Sequence, residues 1–255
     1  MTGGGRIPTT TTRTAVVTGG AASIGQAFAR RLAQDGHRVA IADLAPADET
    51  VAMVNDAGSE ALAALCDVSS GESVRAFADA VAERFGHCDI LVASAGIYPI
   101  APLADTTWEQ WRRVMSINLD SLFHLTQAFL PGMRQRGWGR IVAVASNLFY
   151  TGMAGMVPYV ASKGGVVGFV RALAGEVGED GVTVNAIAPS LVRTQGTLTG
   201  PHTEMGLFEI VRGQQAIKRT QVPDDLVGML SFLASDDAAF ITGQTFPVDG
   251  GGVRV

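Results

Sequence analysis

Short, continuously apolar runs alternate with longer helical stretches along the whole chain, and this alternation constrains the fold more than any other feature. Runs such as Val39–Ala42, Ile90–Ala93 and Ile141–Ala145 contain no polar residue. Such runs suit strands that are buried on both faces, as in a parallel sheet covered by helices. The alternation therefore predicts an α/β fold, with one doubly wound, seven-stranded, mostly parallel sheet and helices on both of its faces.

The element boundaries follow from the apolar runs and the turn residues between them. The predicted strands are Thr14–Thr18, Arg38–Ala42, Glu60–Cys66, Asp89–Ala93, Arg140–Ala145, Val182–Ile187 and Gln244–Val248. The predicted helices are Ser23–Asp35, Pro46–Ala57, Gly71–Phe85, Thr107–Arg136, Met156–Gly178 and Pro223–Ala234. We interpret residues 1–13 as a flexible tail and residues 14–255 as one domain. Residues 194–222 form a Gly-rich insertion with apolar side chains, which predicts a lid over a binding site.

Composition excludes several classes of protein. The net charge of −5 disfavours a nucleic-acid partner, because binding to phosphates needs a basic surface. The scattered histidines and the pair Cys66 and Cys88 show no metal-ligand spacing, so we expect no metal site and two buried, reduced thiols in a cytoplasmic protein. We expect no membrane association, because no uncharged apolar run reaches the ~18 residues of a membrane span and residues 1–13 do not resemble a signal peptide.

A glycine-rich turn follows the first predicted strand. Thr18–Gly25 reads Thr-Gly-Gly-Ala-Ala-Ser-Ile-Gly and leads into a helix, whose free N–H groups and dipole attract a pyrophosphate. Asp43 ends the second strand about 20 residues further on, where an acid accepts hydrogen bonds from the adenosine ribose. Because its carboxylate repels a 2′-phosphate and no Lys or Arg lies nearby, the pattern predicts NAD rather than NADP. Capping of the following helix is the alternative role for Asp43.

Three further residues have the chemistry of an alcohol dehydrogenase. Tyr159 and Lys163 are four positions apart and therefore share one helical face. An ammonium nearby favours the phenolate of a group whose pKa is near 10, so Tyr159 can exchange a proton with an alcohol. Ser146 follows an apolar strand, at the edge of the sheet where such folds bind ligands, and its hydroxyl can hold the substrate oxygen. Asn118 is either functional or a hydrogen-bonded core amide.

Taken together, these motifs resemble the short-chain dehydrogenase/reductase family from Thr14 to near the C-terminus. The matching pieces are Thr18–Gly25, Asp67–Val68, Ser94–Gly96, Asn118, Ser146, Tyr159, Lys163, Val184–Pro189, Thr194, Ile241–Gln244 and Val248–Gly251. The resemblance implies a Rossmann-type catalytic domain over residues 14–255, with the substrate lid at residues 194–222. It also implies a small alcohol or carbonyl substrate, and a homotetramer that packs the helices starting near Thr107 and Met156.

The resemblance also implies roles for individual residues. Asn118, Ser146, Tyr159 and Lys163 would be catalytic, with Asn118 holding a water in a proton relay and Lys163 binding the nicotinamide ribose. The implied cofactor-binding residues are Gly19, Ser23, Ile24, Gly25, Asp43, Leu44, Asp67, Val68, Ser94, Ala95, Gly96, Tyr159, Lys163, Pro189, Val192 and Thr194. The chain departs from the family pattern at Ser23, at Ala93–Ser94 and at Ser190, and these departures concern cofactor affinity.

Two branches of the family look closest, and both use NAD. Ile97–Pro99 and Ala188–Thr194 resemble 1-phenylethanol dehydrogenase-like enzymes, whereas Ala145–Phe149 and Pro201–Glu204 resemble pyridoxal 4-dehydrogenase-like enzymes, which oxidise a hemiacetal. We favour the first branch, with a small apolar or aromatic secondary alcohol or ketone as substrate. The predicted substrate residues are Tyr98, Leu148, Phe149, Met153, Leu191, Met205 and Phe208. For His202 in the lid, a solvent-exposed position is the simpler expectation.

Two alternatives are a rival enzyme activity and a protein without catalytic activity. A 3-oxoacyl-carrier-protein reductase docks an acidic partner on basic residues, but here the corresponding segment Glu176–Asp180 is acidic, and like charges oppose docking. A non-catalytic nucleotide-sensing domain would keep the glycine-rich turn and tend to lose the Tyr/Lys pair. The presence of Ser146, Tyr159 and Lys163 together favours an enzyme.

Overall fold

A computed structural model describes residues 12–199 and 201–254, so most of the predicted N-terminal tail lies outside the described residues. Seven parallel strands form one sheet in the order β3-β2-β1-β4-β5-β6-β7. The strands are β1 Thr14–Thr18, β2 Arg38–Asp43, β3 Ala61–Leu65, β4 Ile90–Ala93, β5 Gly139–Val144, β6 Val182–Pro189 and β7 Thr245–Val248. The order reverses between β1 and β4, which opens a crevice at the carboxyl ends of these strands. The predicted fold class is confirmed.

Helices cover both faces of the sheet and bury its apolar strands. They are α1 Ser23–Gln34, α2 Asp48–Asp56, α3 Gly71–Phe85, α4 Trp108–Met115, α5 Ser121–Arg136, α6 Leu148–Thr151, α7 Val157–Val177, α8 Gln195–Leu198, α9 Pro201–Glu204, α10 Leu207–Gln214 and α11 Asp224–Leu233. One core layer lies under α1 and α11 around Phe28 and Leu230, and the other under α3, α5 and α7 around Leu125 and Val170. Because β5 and β6 are buried along their whole length, the residues that follow them are held firmly in place.

The predicted continuous helix over Thr107–Arg136 is wrong, because the structure interrupts it. Thr107 caps α4 with a capping box, and a π-helical turn at Ser116–Asp120 then separates α4 from α5. This wider turn holds Asn118, whose side-chain amide accepts from the Ile97 N–H (2.8 Å) and donates to the Ile97 carbonyl (2.9 Å). The local break therefore joins the helix to the loop after β4, as π-turns at functional sites often do.

The predicted lid at residues 194–222 contains the three short helices α8, α9 and α10. Its two ends meet at the base, where Val192 forms a β-bridge with Gln221 and the Gln221 Oε1 accepts from the Ser190 N–H (2.9 Å). Thr197 in α8 donates its hydroxyl hydrogen to the Val192 carbonyl (2.7 Å). The insertion is thus anchored to the strand end of β6, directly beside the crevice.

The described residues contain neither a helix of membrane-spanning character nor a cluster of metal-ligand side chains. No helix within residues 12–199 and 201–254 is long and apolar enough to cross a membrane. In the same part of the chain, no group of three or more His, Cys, Asp or Glu side chains is arranged to hold a metal ion. Cys66 and Cys88 are buried free thiols.

Candidate active site

A cavity of about 460 Å³ lies at the carboxyl ends of the central strands, under the lid. All the predicted cofactor-binding residues line it, from Gly19 at the end of β1 to Thr194 at the start of the lid. Ser146, Tyr159 and Lys163 line the same cavity. The topology explains this convergence, because parallel strands bring their carboxyl ends to one edge of the sheet. Residues that are far apart in the sequence therefore face one space.

The glycine-rich turn has the geometry of a phosphate cradle. Gly19 has a φ of +66°, and a Cβ on Gly25 would lie 2.7 Å from the Gly19 carbonyl carbon, so no side chain fits between these residues. Helix α1 begins at Ser23, and its N-cap residue Ala22 supplies no side-chain oxygen to the first N–H groups. These donors remain free for an anion at the positive end of the helix. The turn therefore fits a dinucleotide pyrophosphate.

Ser23, which replaces the glycine of the family pattern, adopts a left-handed conformation with a φ of +60°. It is the single non-glycine residue with positive φ among residues 12–199 and 201–254. A left-handed backbone costs a residue with a Cβ roughly 1–2 kcal/mol. The departure noted in the sequence is thus a site of backbone strain within the cofactor cradle.

Asp43 accepts a hydrogen bond from the glycine-rich turn and does not cap a helix. Its Oδ2 accepts from the Ala21 N–H (2.9 Å), and its Oδ1 accepts from the Ala45 N–H (3.1 Å). Helix α2 begins five residues later with Ala47 as its N-cap, so the helix-capping alternative is wrong. The Asp43 carboxylate lines the cavity beside Leu44, and Asp67 lines it as a second carboxylate. This end of the cavity is therefore acidic.

Ser146, Tyr159 and Lys163 lie together where β5 ends and α7 begins. The Ser146 side chain is near enough to the Tyr159 hydroxyl to favour its ionised form, and Ser146 Oγ accepts from the Leu148 N–H (3.2 Å). Lys163 Nζ lies 5.7 Å from the centre of the Tyr159 ring and donates to the Val144 carbonyl (2.6 Å). Two hydroxyls and a buried ammonium are thus held within one small volume.

Burial dominates the ionisation of this group. Desolvation raises the pKa of Tyr159 above its ordinary value, although the nearby Ser146 hydroxyl opposes the rise. Burial also lowers the pKa of Lys163 to about 8. The sequence predicts that Lys163 favours the phenolate of Tyr159, whereas the net shift in the structure is upward because the cost of burying a phenolate is the largest effect on this pKa.

Asn118 lies behind the cavity wall and does not line it. Besides its two hydrogen bonds with Ile97, its Nδ2 donates to Ser162 Oγ (3.1 Å), so the amide is satisfied by protein atoms. A Cβ on Gly96 would lie 3.3 Å from Asn118 Oδ1 and 3.7 Å from Lys163 Nζ. The amide therefore packs beside the ammonium across Gly96.

The structure brings part of the predicted substrate set to the cavity. Tyr98, Leu148, Met153 and Leu191 line it, whereas Phe149, Met205 and Phe208 do not. Phe149 packs against α7 and the core, and Met205 lies in the turn between α9 and α10 with 51% of its surface exposed. Phe208 lies on a different face of α10 from Leu207 and Val211, which line the cavity in its place.

Sequence reasoning missed several cavity residues. Leu207 and Val211 are four positions apart in α10, and this spacing is the signal that identifies the inward face of the helix. The expectation of a solvent-exposed His202 is wrong, because only 7% of its surface is exposed and its ring contacts Tyr98. Arg113 on α4 also lines the cavity, and no sequence pattern marked it.

A phosphate cradle next to two hydroxyls and an ammonium defines a class of protein, the Rossmann-fold oxidoreductases. Comparison with known proteins is consistent with this class. A family model described as "Enoyl-(Acyl carrier protein) reductase" matches residues 19–252. The 3-oxoacyl-[acyl-carrier-protein] reductase of Pseudomonas aeruginosa is 39% identical, over 94% of this chain and 96% of that protein. The cis-4-hydroxycyclohexanecarboxylate dehydrogenase of Sinomonas cyclohexanicum is also 39% identical, with the same two coverages.

Solved structures agree in fold over nearly the whole chain. The crystal structure of levodione reductase has a TM-score of 0.88 and 32% identity, covering 94% of this chain and 96% of that one. A structure from Beutenbergia cavernae with bound NADP at low occupancy has a TM-score of 0.88 and 37% identity, with the same coverages. The chain belongs to the short-chain dehydrogenase/reductase family, whose members bind a nicotinamide cofactor.

Proposed function

We propose that this protein is an NAD-dependent alcohol dehydrogenase or ketoreductase that acts on a small apolar or aromatic secondary alcohol or ketone, such as 1-phenylethanol or acetophenone. The position of Tyr159 next to Ser146 is the observation that carries the proposal. Both hydroxyls face the cavity that also contains the glycine-rich turn, so they can act on one substrate oxygen next to a bound dinucleotide.

Each polar residue has a distinct task in this reaction. A nicotinamide held in the cradle would supply the hydride acceptor for the alcohol carbon, or the hydride donor for the carbonyl carbon. Ser146 holds the substrate oxygen, and its position is set by the hydrogen bond from the Leu148 N–H. Tyr159 takes the hydroxyl proton during oxidation and returns it during reduction. Lys163 lies close enough to stabilise the phenolate that oxidation requires. Asn118 supports the loop at Ile97 that forms part of the wall.

The acidic end of the cavity supports NAD as the cofactor. Asp43 and Asp67 line this end, and the turn of residues 19–25 contains no Lys or Arg. A 2′-phosphate placed beside these carboxylates would meet like charge, whereas ribose hydroxyls can donate hydrogen bonds to them. The structure from Beutenbergia cavernae contains NADP, so the choice of NAD for this chain rests on these carboxylates and not on the family.

Apolar side chains around the reacting hydroxyls support the choice of substrate. Leu148 and Met153 follow β5, Leu191 follows β6, and Leu207 closes the cavity from the lid. Pockets for small molecules combine such apolar walls with a few polar groups that orient the ligand. An aryl or alkyl group next to a secondary alcohol fits this description. Pyridoxal, whose hemiacetal is the substrate of the second branch, serves as a comparison substrate.

The test compares two variants that each lose one phenolic hydroxyl. Tyr159→Phe removes the proton-transfer group, whereas Tyr150→Phe removes a hydroxyl outside the cavity. We expect purified Tyr159→Phe to bind NAD and lose turnover of 1-phenylethanol by at least a hundredfold, in the range of general acid–base catalysis, measured by reduced-nicotinamide absorbance. Tyr150→Phe should retain wild-type turnover. Near-wild-type activity of Tyr159→Phe would contradict the role of Tyr159 as the proton-transfer group.

Reduction of a 3-oxoacyl group on a carrier protein is a second candidate, favoured by the identity to the Pseudomonas aeruginosa reductase. The surface after α7 opposes it, because Glu176 and Glu179 are exposed and acidic, as an acyl-carrier protein is. The rate of reduction of acetoacetyl thioesters distinguishes the two candidate functions. A clear preference for the carrier-protein thioester over its coenzyme A thioester would favour this second candidate.

We also propose that the protein is a homotetramer. Trp108 on α4 and Phe123 on α5 are 68% and 52% exposed in the single chain, although both are large and aromatic. Exposed aromatic side chains on neighbouring helices are typical of an association surface. Light scattering combined with size-exclusion chromatography measures the mass, and a monomer at micromolar concentration would contradict this proposal.

A further inference from the structure

A second cavity of about 440 Å³ adjoins the active-site cavity. It lies between the loop at residues 96–100, helix α4 and the lid. The two cavities share Gly96, Ile97, Tyr98, Arg113 and His202 as wall residues. A ligand that occupies the first cavity can therefore extend into the second.

Tyr98 and His202 stand where the two cavities meet. Their rings pack edge to face, with centroids 5.3 Å apart and planes inclined by 79°. Gly196 in the lid permits this arrangement, because a Cβ there would lie 2.5 Å from the Tyr98 hydroxyl. The Tyr98 hydroxyl is also close enough to Tyr159 to affect its ionisation. A group attached to the reacting carbon therefore reaches the second cavity by passing this aromatic pair.

The first cavity has to hold both the cofactor and the reacting part of the substrate. Its volume of about 460 Å³ is within the roughly 300–1,000 Å³ of pockets for drug-sized ligands. The remote part of a larger substrate belongs in the second cavity.

The walls of the second cavity are suited to a negative charge. Arg113 lines it, and within residues 12–199 and 201–254 none of the ion pairs includes this arginine, whereas the neighbouring Arg112 lies 3.6 Å from Asp120. Gln110 contributes an amide whose Oε1 already accepts from the Thr107 N–H (2.8 Å), so its Nε2 remains as a donor. Among the described residues, no Asp or Glu lines this cavity.

We propose that the second cavity binds a carboxylate carried by the substrate, with Arg113 as the cationic partner and Gln110 as a hydrogen-bond donor. The preferred substrate is then a hydroxy or oxo acid, in which an apolar ring or chain separates the reacting carbon from the carboxylate. This inference rests on the proposed dehydrogenase function and narrows its substrate class. Charge-assisted hydrogen bonds from arginine to carboxylate are among the strongest polar contacts in proteins.

The experiment uses two pairs of matched compounds. The alcohols are 1-phenylethanol and 4-(1-hydroxyethyl)benzoate, which differ only by a carboxylate on the ring. We expect wild-type protein to show a kcat/KM about tenfold or more higher for the acid, in line with a hydrogen bond to a charged group. In Arg113→Gln this ratio should fall to near one, mainly through a higher KM for the acid. Arg113→Lys should restore part of the ratio, and Arg112→Gln should leave it unchanged.

Other outcomes separate the two proposals. If 1-phenylethanol is oxidised and the acid is not preferred, the carboxylate site is wrong and the dehydrogenase function stands. If Arg113→Gln raises the KM for NAD and leaves the substrate ratio unchanged, the arginine serves the cofactor and the inference is overturned.

If neither alcohol is oxidised, the proposed function is wrong. The carboxylate site is then tested separately, by measuring the affinity of the protein for the matching ketones. The matching ketones, acetophenone and 4-acetylbenzoate, are then titrated calorimetrically into the enzyme with NAD⁺, a mixture in which no hydride transfer is possible. Tighter binding of 4-acetylbenzoate by wild type, lost in Arg113→Gln, supports the carboxylate site. Equal binding of the two ketones overturns it.

Discussion

Replacing Gly25 with alanine tests whether the glycine-rich turn depends on the close approach of its two ends. A Cβ at this position would lie 2.7 Å from the Gly19 carbonyl carbon and 3.0 Å from Gly20 Cα, and closer still to the Gly19 oxygen. Ordinary contacts of a Cβ begin near 3.4 Å, and all of these neighbours are backbone atoms. The turn must therefore open, because no flexible side chain can move aside.

The expected loss of stability follows from two opposing effects. Overpacking of this kind costs about 1–3 kcal/mol, while alanine in a helix gains up to about 1 kcal/mol over glycine. For Gly25→Ala we therefore expect the free energy of unfolding to fall by about 2 kcal/mol. In a chain of this size, this loss lowers Tm by about 5 °C. NAD binding should weaken by more than tenfold, because the N–H groups that face the pyrophosphate move with the turn.

The control is Gly228→Ala in α11, where a Cβ would meet no atom within 4 Å. Here only the helix propensity acts, so we expect a gain of about 0.5–1 kcal/mol and unchanged NAD affinity. Urea unfolding and calorimetric titration of NAD measure both variants. If Gly25→Ala unfolds like Gly228→Ala and binds NAD as wild type does, the turn does not rely on the contact between Gly19 and Gly25.

Three further predictions follow from the same cavity. Asp43→Ala should narrow the preference for NAD over NADP in kcat/KM, because it removes a hydrogen-bond acceptor and a repulsive charge; a wild-type protein that favours NADP would show the assignment to be wrong. Because burial raises the pKa of Tyr159, an ultraviolet difference titration of wild type against Tyr159→Phe should show its phenolate forming at higher pH than that of free tyrosine, and alcohol oxidation should rise with pH while ketone reduction falls. A phenolate signal near neutral pH would contradict this reading. The lid at residues 194–222 should gain hydrogen-exchange protection when NAD and substrate are both bound, and equal protection in both states would exclude a gating role.

The fold was predictable from the sequence because its signals are local. The continuously apolar runs at Val39–Ala42 and Ile141–Ala145 indicate strands buried on both faces, and the alternation with helices leaves few topologies. The glycine-rich turn and the Tyr159/Lys163 pair are also local patterns, and the structure brings both to one cavity. The interruption of the helix at Asn118 was not predictable, because it depends on hydrogen bonds with Ile97 in a loop far away in the chain.

The ionisation of the catalytic group also depends on tertiary structure. The spacing of Tyr159 and Lys163 predicts their proximity correctly, but the direction of the pKa shift is set by desolvation, which no spacing reports. The same reason applies to His202, whose burial against Tyr98 follows from the path of the lid.

By itself, the amino-acid sequence determined the parallel sheet, the phosphate-binding turn and the identity of the serine, tyrosine and lysine, because each arises from residues that are close together in the chain or follow one strand. Tertiary structure alone decided which lid side chains face inward and that Arg113 and Gln110 line a second cavity whose described wall residues include no Asp or Glu. Shape and local charge in that cavity come from the packing of α4, the loop after β4 and the lid. Those three segments meet only when the chain is folded, so no stretch of sequence contains that information.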